Sequence, residues 1–212
     1  MSFKVSPKAF RLKENKDWNS RWLLKKKLPE FLEEDFKIRK FLRERLKDCS
    51  VEKIEIERFP GQIKIIISTA RPGLIIGRRG QGVELLKETL ENRVLERKKG
   101  LKLEIKGVKN LWSSAILSAQ FMAKQIEKRV SYRRVLKTTL GRITASKGVK
   151  GARVQVRGRL GGTLIARKAW LGKGELPRQT IRAEIDYGTA KAFCAYGVIG
   201  IKVWIYKGEK LE

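Results

Sequence analysis

Apolar residues along this chain recur first at helical spacing, then at alternate positions, then at helical spacing again. From Pro29, a proline suited to a first helical position, the acids Glu30, Glu33 and Glu34 fall in the first turns. The apolar residues Phe31, Leu32, Phe36, Phe41 and Leu42 accompany them, which predicts a helix ending near Cys49. Over 51–58 the pattern alternates, with Val51, Ile54 and Ile56 between charges, and 62–69 is rich in Ile, so two strands are predicted. Phe59-Pro60-Gly61 between them is a turn and makes the pair a hairpin. A short segment, Leu74-Ile75-Ile76, then meets Gly77-Arg78-Arg79-Gly80. Val83, Leu86, Leu90 and Val94 at three- and four-residue steps predict another helix, stopping by Lys98-Lys99-Gly100, and Leu101, Leu103 and Ile105 alternate as one more strand.

Past Gly107 the periodicity restarts. A helix is predicted over 112–130 with an inner stripe of Ala115, Ile116, Ala119, Met122, Ala123 and Ile126. A second follows, with Tyr132, Leu136, Leu140 and Ile143 inward while Arg133, Arg134 and Lys137 form a basic ridge on a neighbouring sector. Strands are predicted at 152–157, 181–186 and 199–206, joined by Gly158-Arg159-Leu160-Gly161-Gly162 and a loop over 172–177. Residues 1–28, with Pro7, Trp18, Trp22 and the Lys25-Lys26-Lys27 run, read as an irregular basic arm. The predicted organisation is this arm at 1–28, one domain at 29–108 and a second α+β domain at 109–212.

Charge changes the picture most. The 212 residues carry 50 Lys and Arg against 22 Asp and Glu, a formal net charge of +28, while 42% hydrophobic content suffices for a folded core. From Lys128 to Gly174 there are 14 cations and no acid in 47 residues. Like charges packed together repel, so an external polyanion is the natural counterion. Nucleic acid fits, because each phosphate neutralised releases condensed counterions. A membrane surface would call for a basic amphipathic helix with large exposed apolar residues or a lipidation signal, and no lipidation motif is evident. Absence of His excludes Ser-His and Cys-His nucleophile pairs and imidazole metal ligands. Cys49 and Cys194 have no CxxC spacing, which argues against a zinc site or disulfide framework, predicts no metal and no cofactor, and suggests small buried hydrophobes in a reducing, cytosol-like compartment.

Gly-x-x-Gly occurs four times, starting at Gly77, Gly148, Gly158 and Gly197, and only the first has two cations between the glycines, an apolar segment before it and an amphipathic helix after it. Glycines lacking Cβ let the backbone approach a sugar-phosphate strand, and Arg78 and Arg79 supply charge-assisted contacts. A tight turn with two solvated arginines is the plainer alternative. Helix, strand, strand, helix, Gly-x-x-Gly, helix, strand resembles the type II KH domain, and Arg71-Pro72-Gly73-Leu74-Ile75-Ile76-Gly77-Arg78-Arg79-Gly80 is similar to its loop. Further along, Trp18-Asn19-Ser20-Arg21-Trp22, the 158–162 segment, Arg182-Ala183-Glu184-Ile185-Asp186-Tyr187 and the 196–205 segment resemble the bacterial-type family of small-subunit ribosomal protein S-three.

That resemblance implies an RNA-binding structural protein of the small-subunit head, not an enzyme, in the cytoplasm or an organellar equivalent. It implies ribosomal RNA and messenger RNA as partners, with proteins of the S-four and S-five families beside it at the message entry channel and of the S-ten and S-fourteen families within the head. Arg133, Arg134 and Lys137 match the family's helix facing that channel. Lys128, Arg129, Arg142, Lys147, Lys150, Arg153, Arg157, Arg159, Arg167 and Lys168 are the expected ribosomal RNA contacts. The family commonly has His where this chain has Ser6, and many members continue into a basic tail beyond the position of Glu212. A free-standing KH protein acting as RNA chaperone, or a lyase using a Lys amine, are the competing classes. Glu184 and Asp186 share a strand face and are expected to pair with Arg182, Arg167 or another cation. Trp204 and Trp170 are expected to be core residues more than stacking platforms, with Trp18 and Trp22 the better stacking candidates. The 158–162 loop either cradles phosphate around Arg159 or turns between strands.

Overall fold

The computed structural model describes residues 5–11, 18–22, 28–93 and 100–209. In chain order the elements are α1 (Pro7–Phe10), β1 (Ser20–Arg21), α2 (Leu28–Arg45), β2 (Val51–Phe59), β3 (Gln62–Thr69), α3 (Pro72–Ile76), α4 (Gln81–Arg93) and β4 (Gly100–Gly107), then α5 (Ala115–Glu127), α6 (Tyr132–Thr144), β5 (Gly151–Gly158), β6 (Arg167–Gly174), β7 (Ala183–Cys194) and β8 (Gly197–Glu209). They divide into two compact units, Trp18–Lys109 and Met1–Asp17 with Asn110–Glu212. The mixed α+β class expected from the sequence is the one observed. The arm expected at 1–28 is not a unit of its own: α1 groups with the later residues and β1 with the earlier sheet. Its lysine run, together with Val94 and the Lys98-Lys99 stop, lies outside the described residues.

In the unit of Trp18–Lys109 the strand order is β1-β2-β3-β4. β2 and β3 form the antiparallel hairpin, Phe59 opposite Gln62 across Pro60-Gly61, whereas β4 runs parallel to β3 and so needs the α3–α4 crossover. Ile54 and Ile56 of β2 and Ile63, Ile65 and Ile67 of β3 alternate onto one buried face, against Ile38 and Leu42 of α2 and Leu86 and Leu90 of α4. Cys49 joins this core as a small hydrophobe.

The other unit is a two-layer sandwich of α5 and α6 on an antiparallel sheet of order β6-β5-β8-β7. Ala152, Val154 and Val156 of β5 and Ile201, Val203 and Ile205 of β8 face the helices. The helix predicted over 112–130 starts later, because Leu111–Ser113 forms a 3-10 turn and Ser114 is extended, at φ −100° and ψ 122°. Two features of β7 set that start: the Asp186 carboxylate accepts the Ala115 N–H at 2.8 Å, and a Cβ on Gly188 would collide with the Ala115 backbone. An acceptor at a helix N-terminus satisfies an otherwise orphaned donor and meets the positive dipole end. Asp186 also pairs with Lys8 at 3.0 Å, a cation partner of the kind expected for it. β6 replaces part of the loop predicted over 172–177, and β7 runs on to Cys194.

The helix predicted from Pro29 presents a different face from the expected one. Leu32 and Phe36 are 52% and 67% exposed, and the buried stripe is Phe31, Asp35, Ile38 and Leu42. An acid occupies that stripe because Arg58, two residues beyond Ile56 on the same face of β2, reaches under α2. Its Nε donates to Asp35 Oδ1 at 3.0 Å, the neighbouring nitrogens contact Asp35 and Glu34, and the guanidinium lies 4.7 Å from the Phe31 ring centroid. Ser20 Oγ donates to Asp35 Oδ2 at 2.7 Å and accepts from Arg39, which holds β1 against the domain. Breaking a buried pair leaves an uncompensated charge. Asp35→Ala is expected to lower unfolding free energy by about 3–5 kcal/mol in urea titrations. Asp35→Leu combined with Arg58→Met is expected to recover most of it, since apolar replacement removes both desolvation costs.

Candidate nucleic-acid interface

The Gly-x-x-Gly loop is the first exposed cationic element. α3 ends at Ile76, Gly77 turns the chain at φ +68°, and Gly80 sits at φ +82° just before α4. Arg78 and Arg79 between them are exposed, with no ion pair among the described residues, and Arg79 itself adopts φ +51°. Gly82, which the sequence did not single out, packs the loop shut: a Cβ there would lie 2.5 Å from the Ile75 carbonyl oxygen. The spacing Gly77, Gly80, Gly82 was the available signal. The arrangement presents two guanidinium groups on a backbone with little side-chain bulk, open to an approaching phosphate.

The acid-free stretch divides between the two faces of the second unit. On α6, Arg133, Arg134 and Lys137 are exposed, and Arg133 Nε donates to the Tyr132 hydroxyl at 3.2 Å. Arg142, one turn from the end, lies 5.1 Å from the Trp112 ring centroid and 5.4 Å from that of Phe121, rings that meet edge to face. Lys128, Arg129, Lys147 and Lys150 are exposed in the turns flanking α6. Strand alternation sends Arg153 and Arg157 of β5 to the face opposite α5 and α6, where Arg157 stands beside Lys168 of β6 in register. Arg167 is exposed at the start of β6, an edge strand.

Some expected RNA-contact cations are engaged within the protein. Arg159 donates from Nε to the Thr163 carbonyl at 3.0 Å and packs on Tyr196, so it closes the 158–162 loop, and Leu160 is buried beneath it. Arg153 lies 3.9 Å from the Trp170 ring centroid, where burial and then the nearby Arg178 charge push its pKa below the ordinary guanidinium value.

The sequence reading missed an aromatic and cationic ladder across the open sheet face. Val203 and Ile205 are core residues, as expected of that strand, but Trp204 between them faces outward, opposite Arg153 in register and beside Tyr187. Trp170 on β6 is 52% exposed. The alternation Arg-Val-Gln-Val-Arg in β5 and Lys-Val-Trp-Ile in β8 carried this signal. Trp18 is exposed, whereas Trp22 packs on Phe31 with ring centroids 6.3 Å apart.

Comparison with known proteins covers both units. Residues 37–113 match the KH domain family, and residues 122–205 match the family described as Ribosomal protein S3, C-terminal domain. The small ribosomal subunit protein uS3 of Caldicellulosiruptor saccharolyticus is 48% identical over all 212 residues, covering 94% of that protein. Those of Maridesulfovibrio salexigens and Persephonella marina are 46% and 45% identical over the whole chain, covering 98% and 92% of theirs. This chain belongs to the uS3 family. Members of the uS3 family are structural ribosomal proteins rather than enzymes, so the cationic surfaces above are read as binding surfaces.

One residue of the basic helix has no packing role in this uS3 chain. Gly141 is exposed in the interior of α6, and a Cβ there would meet nothing within 4 Å. A mid-helix glycine costs stability for want of backbone restriction. Gly141→Ala is therefore expected to raise stability by about 0.5–1 kcal/mol, read as a higher melting temperature in calorimetry.

Proposed function

We propose that this protein is a structural constituent of the small-subunit head, binds ribosomal RNA through its second unit, and lines the message entry channel with α6. The observation that carries this reading is the outer face of α6, where Arg133, Arg134 and Lys137 stand exposed inside a 47-residue stretch that contains no acid. Such a ridge holds phosphates of a single strand and lowers the cost of separating a paired message as it is drawn past, with no bond made or broken. Lys128, Arg129, Arg142, Lys147, Lys150, Arg157, Arg167 and Lys168 spread the same charge around it and suit a large folded RNA better than a short ligand. Proteins of the S-ten, S-fourteen, S-four and S-five families are the proposed neighbours, and the bacterial cytoplasm, as in the bacterial relatives, is the proposed location.

Replacing Arg133, Arg134 and Lys137 together by Ala is expected to slow translation through a stable hairpin while leaving unstructured message unaffected. Equal rates on both messages would remove the unwinding role. In the purified protein the same variant is expected to reduce the slope of log affinity for single-stranded RNA against log salt by about 2, at roughly 0.7 per lost phosphate contact. For the KH loop, Arg78→Asp with Arg79→Asp is expected to weaken RNA binding and flatten that slope as well. An unchanged slope would show that the loop does not touch RNA. Sedimentation of tagged protein with the small subunit separates this reading from a free-standing RNA chaperone, which would stay at the top of the gradient.

A further inference from the structure

Away from the ridge and the KH loop, the second unit holds a groove of about 640 Å³ between α1 and the open face of its sheet. Its floor is aromatic: the rings of Trp204 on β8 and Tyr187 on β7 have centroids 5.4 Å apart and planes inclined by 39°. The Arg178 guanidinium sits 5.7 Å from the Trp204 ring centroid, and Lys202 and the side-chain amides of Gln155 and Gln179 also line the space. Among the described residues that line it there is no carboxylate. Burial raises the Tyr187 phenol above its ordinary pKa, which keeps its hydroxyl a donor.

Arg11, which lines the same groove, supplies an independent observation. It is only 3% exposed, and its guanidinium donates to the backbone carbonyls of Pro7 at 3.2 Å, Arg178 at 2.9 Å and Thr180 at 2.8 Å. Its Nε has no hydrogen-bond partner among the described residues, and burial lowers its pKa. Among the described residues this buried cation is balanced by carbonyl dipoles and the Phe10 ring, 5.5 Å from its guanidinium, with no carboxylate, and an anion drawn into the groove offsets the cost of burying it.

We propose that this groove seats one unstacked RNA nucleotide, its base against Trp204 and Tyr187 and its phosphate toward Arg178, Lys202 and Arg11. An aromatic ring face suits any base, the glutamine amides suit base edges, and the cations among the described lining residues suit phosphate. An acidic peptide would satisfy the cations but leave the ring pair and the amides without complementary groups. The proposal rests on the RNA-binding reading above and adds to it a site on the sheet face opposite α6.

The test uses the full chain and a four-nucleotide RNA carrying 2-aminopurine, whose fluorescence is quenched on stacking. The wild-type protein is expected to bind it with quenching. Arg178→Ala with Lys202→Ala is expected to weaken binding about tenfold or more, on the scale of one lost hydrogen bond to a charged group. Trp204→Phe, which keeps an aromatic ring in the groove floor, is expected to reduce the quench, with a folded melting transition in calorimetry as the control. Undiminished quenching in the Arg178/Lys202 variant, or displacement of the RNA by an equimolar polyglutamate peptide, would overturn the proposal. Failure of the wild-type protein to bind a long ribosomal RNA fragment would sink RNA binding altogether, whereas retained fragment binding with no quench of the short probe would sink the groove alone.

Discussion

Positive charge with no counter-charge nearby is the constraint that shapes the second unit. Fourteen cations in 47 residues repel one another, and the repulsion grows as the chain compacts. The fold manages this by geometry. Helix and strand periodicity send the apolar half of each element inward, as with Val154 and Val156 of β5 or Leu136 and Leu140 of α6, and distribute the cations over two opposite faces. Aromatic rings take part of the load: Arg142 lies against Trp112 and Phe121, Arg153 against Trp170, and Arg178 against Trp204. A guanidinium over a ring gains attraction without needing an acid, so the surface stays cationic toward a polyanion.

The KH unit handles its charge differently. Acids there are interspersed among the cations, and Glu57, Glu104 and Lys64 form a partly exposed cluster across β2, β3 and β4. The hydrogen bond from Lys64 holds the Glu104 carboxyl below its ordinary pKa, while that bond raises Lys64. Such exposed pairs are screened by water and contribute little. The interaction that matters there is the buried Arg58–Asp35 contact, which ties α2, β1 and β2 at one point. The first unit therefore buries a charge pair in its core, whereas the 47-residue stretch of the second has no acid of its own to pair with.

What was legible in the sequence followed from period and contrast. The KH element order, the hairpin, the loop of Gly77 to Gly80 and the stripe of α6 were readable because each buries one face against a polar other. β6 was not readable: Arg-Lys-Ala-Trp-Leu-Gly-Lys-Gly buries almost nothing, since an edge strand beside a narrow helix layer needs only Ala169 inward. The second half of β7 was hidden for a related reason, its core face being Ala190 and Ala192 beneath α5, too small to register as an apolar alternation. Asp35 was missed because a buried acid is indistinguishable from a surface acid until its partner 23 residues away is known. Of the candidate interface, exposure of the α6 ridge could be read from helical spacing, whereas the engagement of Arg159 and Arg153 inside the protein depends on contacts made only in three dimensions.

The strand order β6-β5-β8-β7 has a consequence for how the molecule is made. β8 is synthesised after every strand it pairs with, yet it lies between β5 and β7 in the middle of the sheet. Until it emerges, β5 and β7 have no common neighbour, and the floor beneath α5 and α6 is incomplete. The KH unit, contiguous in the chain, has all its strands long before that. The nascent polypeptide therefore carries every strand of its Gly-x-x-Gly half before the sheet of its more cationic half can be completed.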